Sequence, residues 1–342
     1  MFPMYKLIFI TTLFLGTLIS ISSMSWLGMW IGLEINLLSF IPLLNDKNNP
    51  YSSEASMKYF LVQAMASTIL LFSLIMTLFK SNFINEFLMT NNFNLMIMNS
   101  SLFLKMGAAP FHFWFPEIIE GMNWTNSMIL MTWQKIAPMM LISYTINFID
   151  YIFFIILISA MVGSLGGLNQ ISLRKLMAYS SINHISWMLS AFLINELMWI
   201  IYFTVYTIIV LTLSMLFNLY NIFLLKQMYM MMKTNFLIKY FTLINLLSLG
   251  GLPPFLGFLP KWMIIQNLSK SYFPLLVFML MMSLITLYFY LRISYSSMML
   301  NHNSLNFMMI LNKNYMNKIS ISILTFISMN GLILYTIMFN FY

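Results

Sequence analysis

The chain has 342 residues, of which 61% are hydrophobic and only 7% charged, with a formal net charge of +8. An ordinary soluble domain carries about 25% charged residues, so this composition excludes one and identifies an integral membrane protein. Cysteine is absent, which excludes iron–sulfur clusters, disulfides and thiol chemistry within this chain.

In a soluble protein the positive surplus would suggest nucleic acid; in a membrane protein it reports orientation. Methionine (36) and phenylalanine (32) are abundant. Copper-binding thioether clusters usually come with cysteine or histidine, so the methionines read as coding bias. The segment Met1–Ile21 has one early lysine and then an apolar run, without the small-residue cleavage site of a signal peptide or the arginine-rich character of a presequence. It reads as the first membrane helix.

A span needs about 20 apolar residues. Eleven segments qualify, at 5–22, 25–44, 55–79, 94–121, 125–147, 150–168, 172–194, 197–225, 236–267, 273–295 and 319–341. Polar connectors separate them: Asn45–Ser53, the asparagine-rich Asn82–Asn94, Lys226–Lys239 and an interfacial stretch at 296–318. No segment reads as a soluble domain.

The fourth and ninth segments are too long for simple spans, and both carry the same interruption. Gly107, Pro110, Phe111 and Pro116 recur as Gly251, Pro254, Phe255 and Pro260, an offset of 144 residues. In hydrocarbon a broken backbone persists only where it is buried in protein or lines a wet cavity. Corresponding breaks in two halves point to the binding site of a repeat-built transporter. The expected fold is all-α: a polytopic membrane protein of about eleven transmembrane helices in one domain over 1–342. Its first repeat spans about 5–147 and its second about 150–295, and a closing helix spans about 319–341.

With eleven alternating spans, Lys6, Lys47, Lys58, Arg174, Lys175, Lys226, Lys233, Lys239, Arg292, Lys313 and Lys318 fall on the N-terminal side of the membrane. Only Lys80 and Lys270 fall on the other. That asymmetry places the N-terminus in the matrix or cytoplasm and the C-terminus across the membrane.

Three basic residues remain, Lys105, Lys135 and Lys261, all inside apolar segments. Glu34 stands alone among the acids in the middle of W-L-G-M-W-I-G-L-E-I-N-L-L-S-F-I-P. An ionisable group at the bilayer centre costs about 2.5–3.5 kcal/mol on insertion scales. Desolvation disfavours its charged form, which brings lysines and carboxylates alike toward proton exchange near neutrality. These four are the candidate proton carriers, and a Glu–Lys pair broken during turnover would free a proton.

Each also has a plainer reading: a structural ion pair for Glu34, snorkelling for Lys105 and Lys261, and a cation–π contact or carbonyl partners for Lys135 beside Trp133. His112 after the first break, His184 in S-S-I-N-H-I-S-W and Lys175 on the same helix are relay candidates, against the alternative that the histidines only pack. Position 249, opposite Lys105, is leucine, and Glu117 stands opposite Lys261, so the halves share a scaffold but not their charges. His302 reads as solvated, and Gly166–Gly167 as turn chemistry.

Metal-ligand spacing, a Walker loop, a dinucleotide fingerprint and a nucleophile constellation are all missing from the sequence. Moving one charge against 100 mV costs roughly 2.3 kcal/mol. The energy must therefore come from another ion gradient or from a partner subunit.

These motifs resemble a known family. W-L-G-M-W-I-G-L-E-I-N-L-L-S-F-I-P-L-L (26–44), E-A-S-M-K-Y-F-L (54–61), K-M-G-A-A-P-F-H-F-W-F-P (105–116) and M-T-W-Q-K-I-A-P (131–138) occur in order. They are followed by G-G-L-N-Q-I-S-L-R-K-L-M-A-Y-S-S-I-N-H (166–184) and L-G-G-L-P-P-F-L-G-F-L-P-K-W (249–262). The chain resembles the chain 2 family of mitochondrial NADH:ubiquinone oxidoreductase, respiratory complex I, in its arthropod form, over essentially its whole length. The last eighty residues match loosely.

The resemblance implies an antiporter-like, proton-pumping membrane subunit with inverted five-helix repeats, each holding a broken helix. It implies that Glu34 is the coupling acid, Lys105 the central lysine, Lys135 the connecting lysine and Lys261 the lysine of the second broken helix. It further implies that NADH, FMN, iron–sulfur clusters and ubiquinone are bound by other subunits, and that this chain holds no cofactor. The partners would be adjacent antiporter-like and small membrane subunits, and lipid such as cardiolipin, with no nucleic acid. Animal members of the family lack three N-terminal helices of their bacterial relatives, which suits a glutamate in the second span. A gene in an AT-rich mitochondrial genome would account for the methionines, and would place the protein in the inner membrane with its N-terminus in the matrix and its C-terminus in the intermembrane space. The readings left beside it are a stand-alone cation/proton antiporter and a structural scaffold.

The cysteine-free chain makes the topology testable. Lys226→Cys is expected to react with an impermeant maleimide only from the N-terminal side, and Lys270→Cys only from the opposite side; labelling of both from one face would refute the helix count.

Overall fold

Apolar runs of this length can satisfy their backbone in a membrane only as helices. The structure, a computed structural model, describes residues 4–46, 49–81, 92–234, 236–299, 322–323 and 325–331. Among the described residues lie α1 (Met4–Ser22), α2 (Trp26–Leu44), α3 (Pro50–Ser81), α4 (Asn92–Met106), α5 (Trp114–Gly121), α6 (Trp124–Met131) and α7 (Trp133–Ser143). They are followed by α8 (Ile149–Gly167), α9 (Leu173–Phe192), α10 (Glu196–Leu219), α11 (Leu225–Thr234), α12 (Phe236–Gly250), α13 (Phe258–Ser271) and α14 (Phe273–Met299). Six of them, α1, α2, α3, α8, α10 and α14, are long and apolar enough to span a membrane alone. The all-helical expectation holds.

The expected fourth and ninth spans are each two half-helices separated by seven residues, 107–113 and 251–257. Gly107 and Gly251 both adopt positive φ, 75° and 80°, a conformation that L side chains disfavour and glycine does not. Each ends its half-helix in a Schellman turn. Gly107 N–H donates to Leu104 O and Ala108 N–H to Phe103 O; Gly251 N–H donates to Ser248 O and Leu252 N–H to Leu247 O. The repeated sequence thus makes a repeated backbone.

The chain divides into two compact units, 1–155 and 156–342. In the first, α1 and α2 form an antiparallel pair in backbone contact. A Cβ added at Gly32 would lie 2.5 Å from Ser20 N, and one at Gly16 2.8 Å from Asn36 N, so small residues set this spacing. The first broken helix packs against α3, and α7 packs against α4 and α1.

In the second unit α9 is the most enclosed helix, with 17 of its 20 residues buried. It is also rich in hydroxyls. Ser180, Ser181, Ser186 and Ser190 donate to the carbonyls three residues earlier at 2.6–2.8 Å, which makes their burial tolerable. Gly163 and Gly166 of α8 lie against Asn183 and Tyr179 of α9, and α10, α13 and α14 also contact it.

Several boundaries differ from the sequence expectation. The stretch read as a polar connector at 226–239 contains α11, because Met228, Met231 and Met232 recur at helical spacing and are buried. The span expected at 125–147 is two helices, α6 and α7, interrupted at Thr132 (φ −113°, ψ −73°), whose Oγ donates to Met128 O at 2.7 Å. Helix α3 begins at Pro50 rather than at 55, proline being well suited to a first helical turn. Much of the expected closing helix at 319–341 and of the connectors at 82–94 and 296–318 lies outside the described residues, as do Lys47, Lys313, Lys318, His302 and the side chains of Lys80 and Lys233.

A Cβ at Gly107 would sit 3.0 Å from Phe115 Cβ, and one at Gly251 2.8 Å from Lys261 Cδ. Gly107→Ala and Gly251→Ala are each expected to destabilise the detergent-solubilised protein by at least ~1–2 kcal/mol, the cost of left-handed backbone for an L residue. Thermal unfolding checks this, and unchanged midpoints would contradict it.

Candidate functional site

In the first unit, Lys105 occupies the last turn of α4, immediately before the break. A cation is favoured at the carbonyl end of a helix. The side chain is buried and lines a cavity with Leu33, Asn36, Leu37, Tyr59, Gln63, Gln134 and Pro138. The volume open to a water centre is about 10 Å³, roughly what one water needs.

The carbonyls at the end of α4 have their own donors: Trp114 Nε1 donates to Leu104 O at 3.1 Å, and Gln63 Nε2 to Lys105 O at 3.2 Å. The Lys105 ammonium is therefore not required to satisfy them.

Glu34 lies near the middle of α2, half-buried, with Oε1 fully buried and without a hydrogen-bond partner. The Glu–Lys pair raised from the sequence is not a contact between Glu34 and Lys105: no ion pair within 4.0 Å joins the two, although Lys105 lies within the electrostatic reach of Glu34. Ion pairs that do form among the described residues, Lys6–Asp46 at 3.1 Å and Lys58–Glu117 at 2.9 Å, lie elsewhere.

Lys135, on α7, is 1% exposed. Its Nζ stands 5.4 Å from the centroid of Phe115, not over Trp133, which instead meets Phe14 edge-on at 4.4 Å. The first break positions this contact. Gly107 allows Phe115 to fold back against the end of α4, and the Phe115 ring then faces Lys135. Sequence reading gave Phe115 no role, because nothing in the local pattern marks which ring a distant lysine meets.

In the second unit, Lys261 is buried on α13, in the first turn after the break. It does not snorkel. Its Nζ turns back to donate to Gly250 O at 3.0 Å and Leu249 O at 3.3 Å, the closing carbonyls of α12. The Trp187 ring of α9 lies 5.9 Å from the ammonium.

Lys105 and Lys261 occupy unequal sequence positions, Lys105 in the last turn before its break and Lys261 in the first turn after its own. The halves differ correspondingly in what serves the carbonyls at the break. In the first unit a neutral amide, Gln63, serves the carbonyl of residue 105; in the second an ammonium serves that of residue 249. Further along the second break, Leu256 N–H donates to Ser328 O at 3.2 Å.

His112 is buried within its own loop, with Nδ1 3.3 Å from Pro110 O and its ring 4.3 Å from Phe113; neither contact reaches Lys105. His184 Nδ1 is 2.7 Å from Tyr202 OH, and its ring lies 5.1 Å from that of Tyr206, all three buried. Those tyrosines also escaped the sequence reading, since α10 presents them within a predominantly apolar run. Lys175 is in the first turn of α9, half-buried, nine residues before His184. No group of three or more histidine, cysteine, aspartate or glutamate side chains among the described residues could hold a metal.

Residues 23–286 match the NADH:quinone oxidoreductase/Mrp antiporter transmembrane family. The chain is 54% identical to NADH-ubiquinone oxidoreductase chain 2 of Anopheles gambiae, covering 97% of both chains. Its fold is similar to a chain of respiratory complex I from Thermus thermophilus with bound aureothin, at a TM-score of 0.86 and 21% identity, covering 96% of this chain and 78% of that one. It is also similar to a chain of the Mrp complex from Dietzia sp., at a TM-score of 0.82 and 14% identity, over 96% and 75% of the two chains.

Capping separates the two lysines. Lys261→Met leaves two carbonyls without their donor and is expected to cost about 1–3 kcal/mol of stability. Lys105→Met, whose half-helix is capped by Gln63 and Trp114, is expected to cost less. Differential thermal unfolding of the two variants measures this, and equal shifts would count against the assignment.

Proposed function

Because the chain belongs to the chain 2 family of NADH-ubiquinone oxidoreductase, we propose that it is a membrane-arm subunit of respiratory complex I that translocates protons across the mitochondrial inner membrane. It contributes to an NADH:ubiquinone oxidoreductase whose electron transfer takes place in other subunits, where NADH, FMN, the iron–sulfur clusters and ubiquinone bind. Its partners are the neighbouring antiporter-like and small membrane subunits, with anionic lipid such as cardiolipin at its periphery. The charge asymmetry supports an N-terminus in the matrix and a C-terminus in the intermembrane space.

The observation that carries the reading is the burial of three lysines, Lys105, Lys135 and Lys261, at 7%, 1% and 6% exposure inside apolar helices. Lysines so placed are costly and mark ion or proton pathways. The identity to the Anopheles gambiae protein favours complex I over a stand-alone antiporter.

In mechanism, Glu34 is the coupling acid. It modulates Lys105 without touching it, so a change in its charge or position alters the ammonium's energy through space. At an effective dielectric of ~20 two unit charges still interact by about 1.4 kcal/mol out to ~12 Å, which corresponds to a tenfold change in proton occupancy. Lys105, held at the end of α4 beside a single-water cavity, releases its proton when that field changes. Lys135 is the connecting carrier and Lys261 the carrier of the second unit, with His184 and Tyr202 as a relay. Lys261 can release a proton and stay in place, because a neutral amine still donates to a carbonyl.

Lys105→Gln tests this in the assembled complex in sealed inner-membrane vesicles. Fewer protons pumped per NADH oxidised are expected; an unchanged ratio with assembly intact would sink the reading.

A further inference from the structure

The Lys105 cavity has a feature that the carriers themselves do not explain. Asn36 Nδ2 donates to Gln134 Oε1 at 2.9 Å, and Gln134 Nε2 donates back to Asn36 Oδ1 at 3.0 Å. The two carboxamides form a closed reciprocal pair between α2 and α7, across 98 residues of sequence, and both line the cavity. Asn36 is two residues from Glu34, and Gln134 is next to Lys135. The pair therefore ties the helix of the coupling acid to the helix of the connecting lysine, beside the central lysine.

Its surroundings hold it in place. The Asn36 backbone lies against Gly16 of α1, where a Cβ would come to 2.8 Å from Asn36 N. On the other side, Trp133 is fixed against Phe14 of the same helix. Pro138, also in the cavity wall, has no N–H to give the Gln134 carbonyl four residues earlier, so α7 is less constrained by its own hydrogen bonds at this point.

The chemistry of the wall is selective. Apart from Lys105, its polar side chains are Asn36, Gln63, Gln134 and Tyr59, and none of these carboxamides or this phenol ionises near neutral pH. Each amide of the pair spends one N–H and one lone pair on its partner and keeps one of each. A water in the cavity can thus be oriented by neutral groups, while Lys105 is the one wall residue that takes its proton. A carboxylate at either amide position would instead pair with the ammonium.

We infer that Asn36 and Gln134 act together as a positioning unit for proton transfer at Lys105: the amide pair holds α2 to α7, keeps the cavity at single-water width and keeps its wall free of competing proton acceptors. This inference rests on the reading of Lys105 as a proton carrier.

The test uses the assembled complex in sealed inner-membrane vesicles, reading protons pumped per NADH oxidised. Asn36→Leu and Gln134→Leu are each expected to lower the ratio toward that of Lys105→Gln, the double variant no further than the worse single, and the exchanged pair Asn36→Gln/Gln134→Asn to recover it. Gln134→Glu is expected to lose pumping at alkaline pH and regain it as the pH falls, because the protonated carboxyl is neutral and can again pair with Asn36; a purely structural role would show no such dependence.

Wild-type ratios in the leucine variants, additive losses without recovery in the exchanged pair, or a pH-independent defect in Gln134→Glu would each overturn the inference. If the leucine variants fail to assemble, the exchanged pair and Gln134→Glu decide it. Lys105→Gln run alongside separates the two levels: if it leaves the ratio unchanged, the carrier reading fails, and if it lowers the ratio while the amide variants do not, only the amide inference fails.

Discussion

A helix that ends inside hydrocarbon exposes carbonyl groups that water cannot reach, and the architecture of this protein follows from how those groups are satisfied. Each broken helix first closes on itself, using a glycine at positive φ and a Schellman turn to satisfy two carbonyls from its own backbone. Other carbonyls take donors from elsewhere. In the first unit Gln63 supplies one to Lys105 O, while Trp114 adds a second donor to Leu104 O; in the second Lys261 serves Leu249 O and Gly250 O. The breaks are thus sites where the membrane interior must contain polar groups, and a lysine is the polar group best matched to the negative end of a helix.

That requirement gives Lys261 its position: it reaches the carbonyl end of α12 from across the break, whereas Lys105 stands in the last turn of α4 with the carbonyls there served by other groups. The glycine turns act further by what they let approach. Without a Cβ at residue 107, Phe115 can lie against α4 and face Lys135; without one at residue 251, the Lys261 side chain can lie flat against the turn. One backbone device therefore orders a ring in one unit and a cation in the other.

Around these sites several polar groups are satisfied by neutral partners. The serines of α9 bond within their own helix, the Asn36 and Gln134 amides bond to each other, and His184 meets Tyr202. Neutral hydrogen bonds make buried polarity affordable in a low-dielectric interior without adding charges that would pair with the lysines. The tight α1–α2 contact, made by Gly16 and Gly32, sets the α1 backbone directly against that of Asn36. Packing by small residues and charge placement are one arrangement here.

Much of this was legible in the sequence. Composition and apolar run length gave the membrane and the helices, since backbone desolvation leaves few alternatives. The 144-residue repeat of Gly107, Pro110 and Pro116 located both breaks, because glycine and proline act locally and leave local marks. Glu34, Lys105, Lys135 and Lys261 stood out because charge in an apolar run is costly wherever it sits. What the sequence could not give was which groups meet. The lack of contact between Glu34 and Lys105, the ring that Lys135 faces, the carbonyls that Lys261 caps and the Asn36–Gln134 pair all concern residues 11 to 98 positions apart. The amphipathic α11 escaped because its lysines and polar residues read as a connector although its methionines recur at helical spacing, and the interruption at Thr132 because a threonine inside an apolar run does not by itself mark a break. Local chemistry fixed which residues must be buried or broken; only tertiary packing, through directional hydrogen bonds and ring contacts of short range, decided their partners.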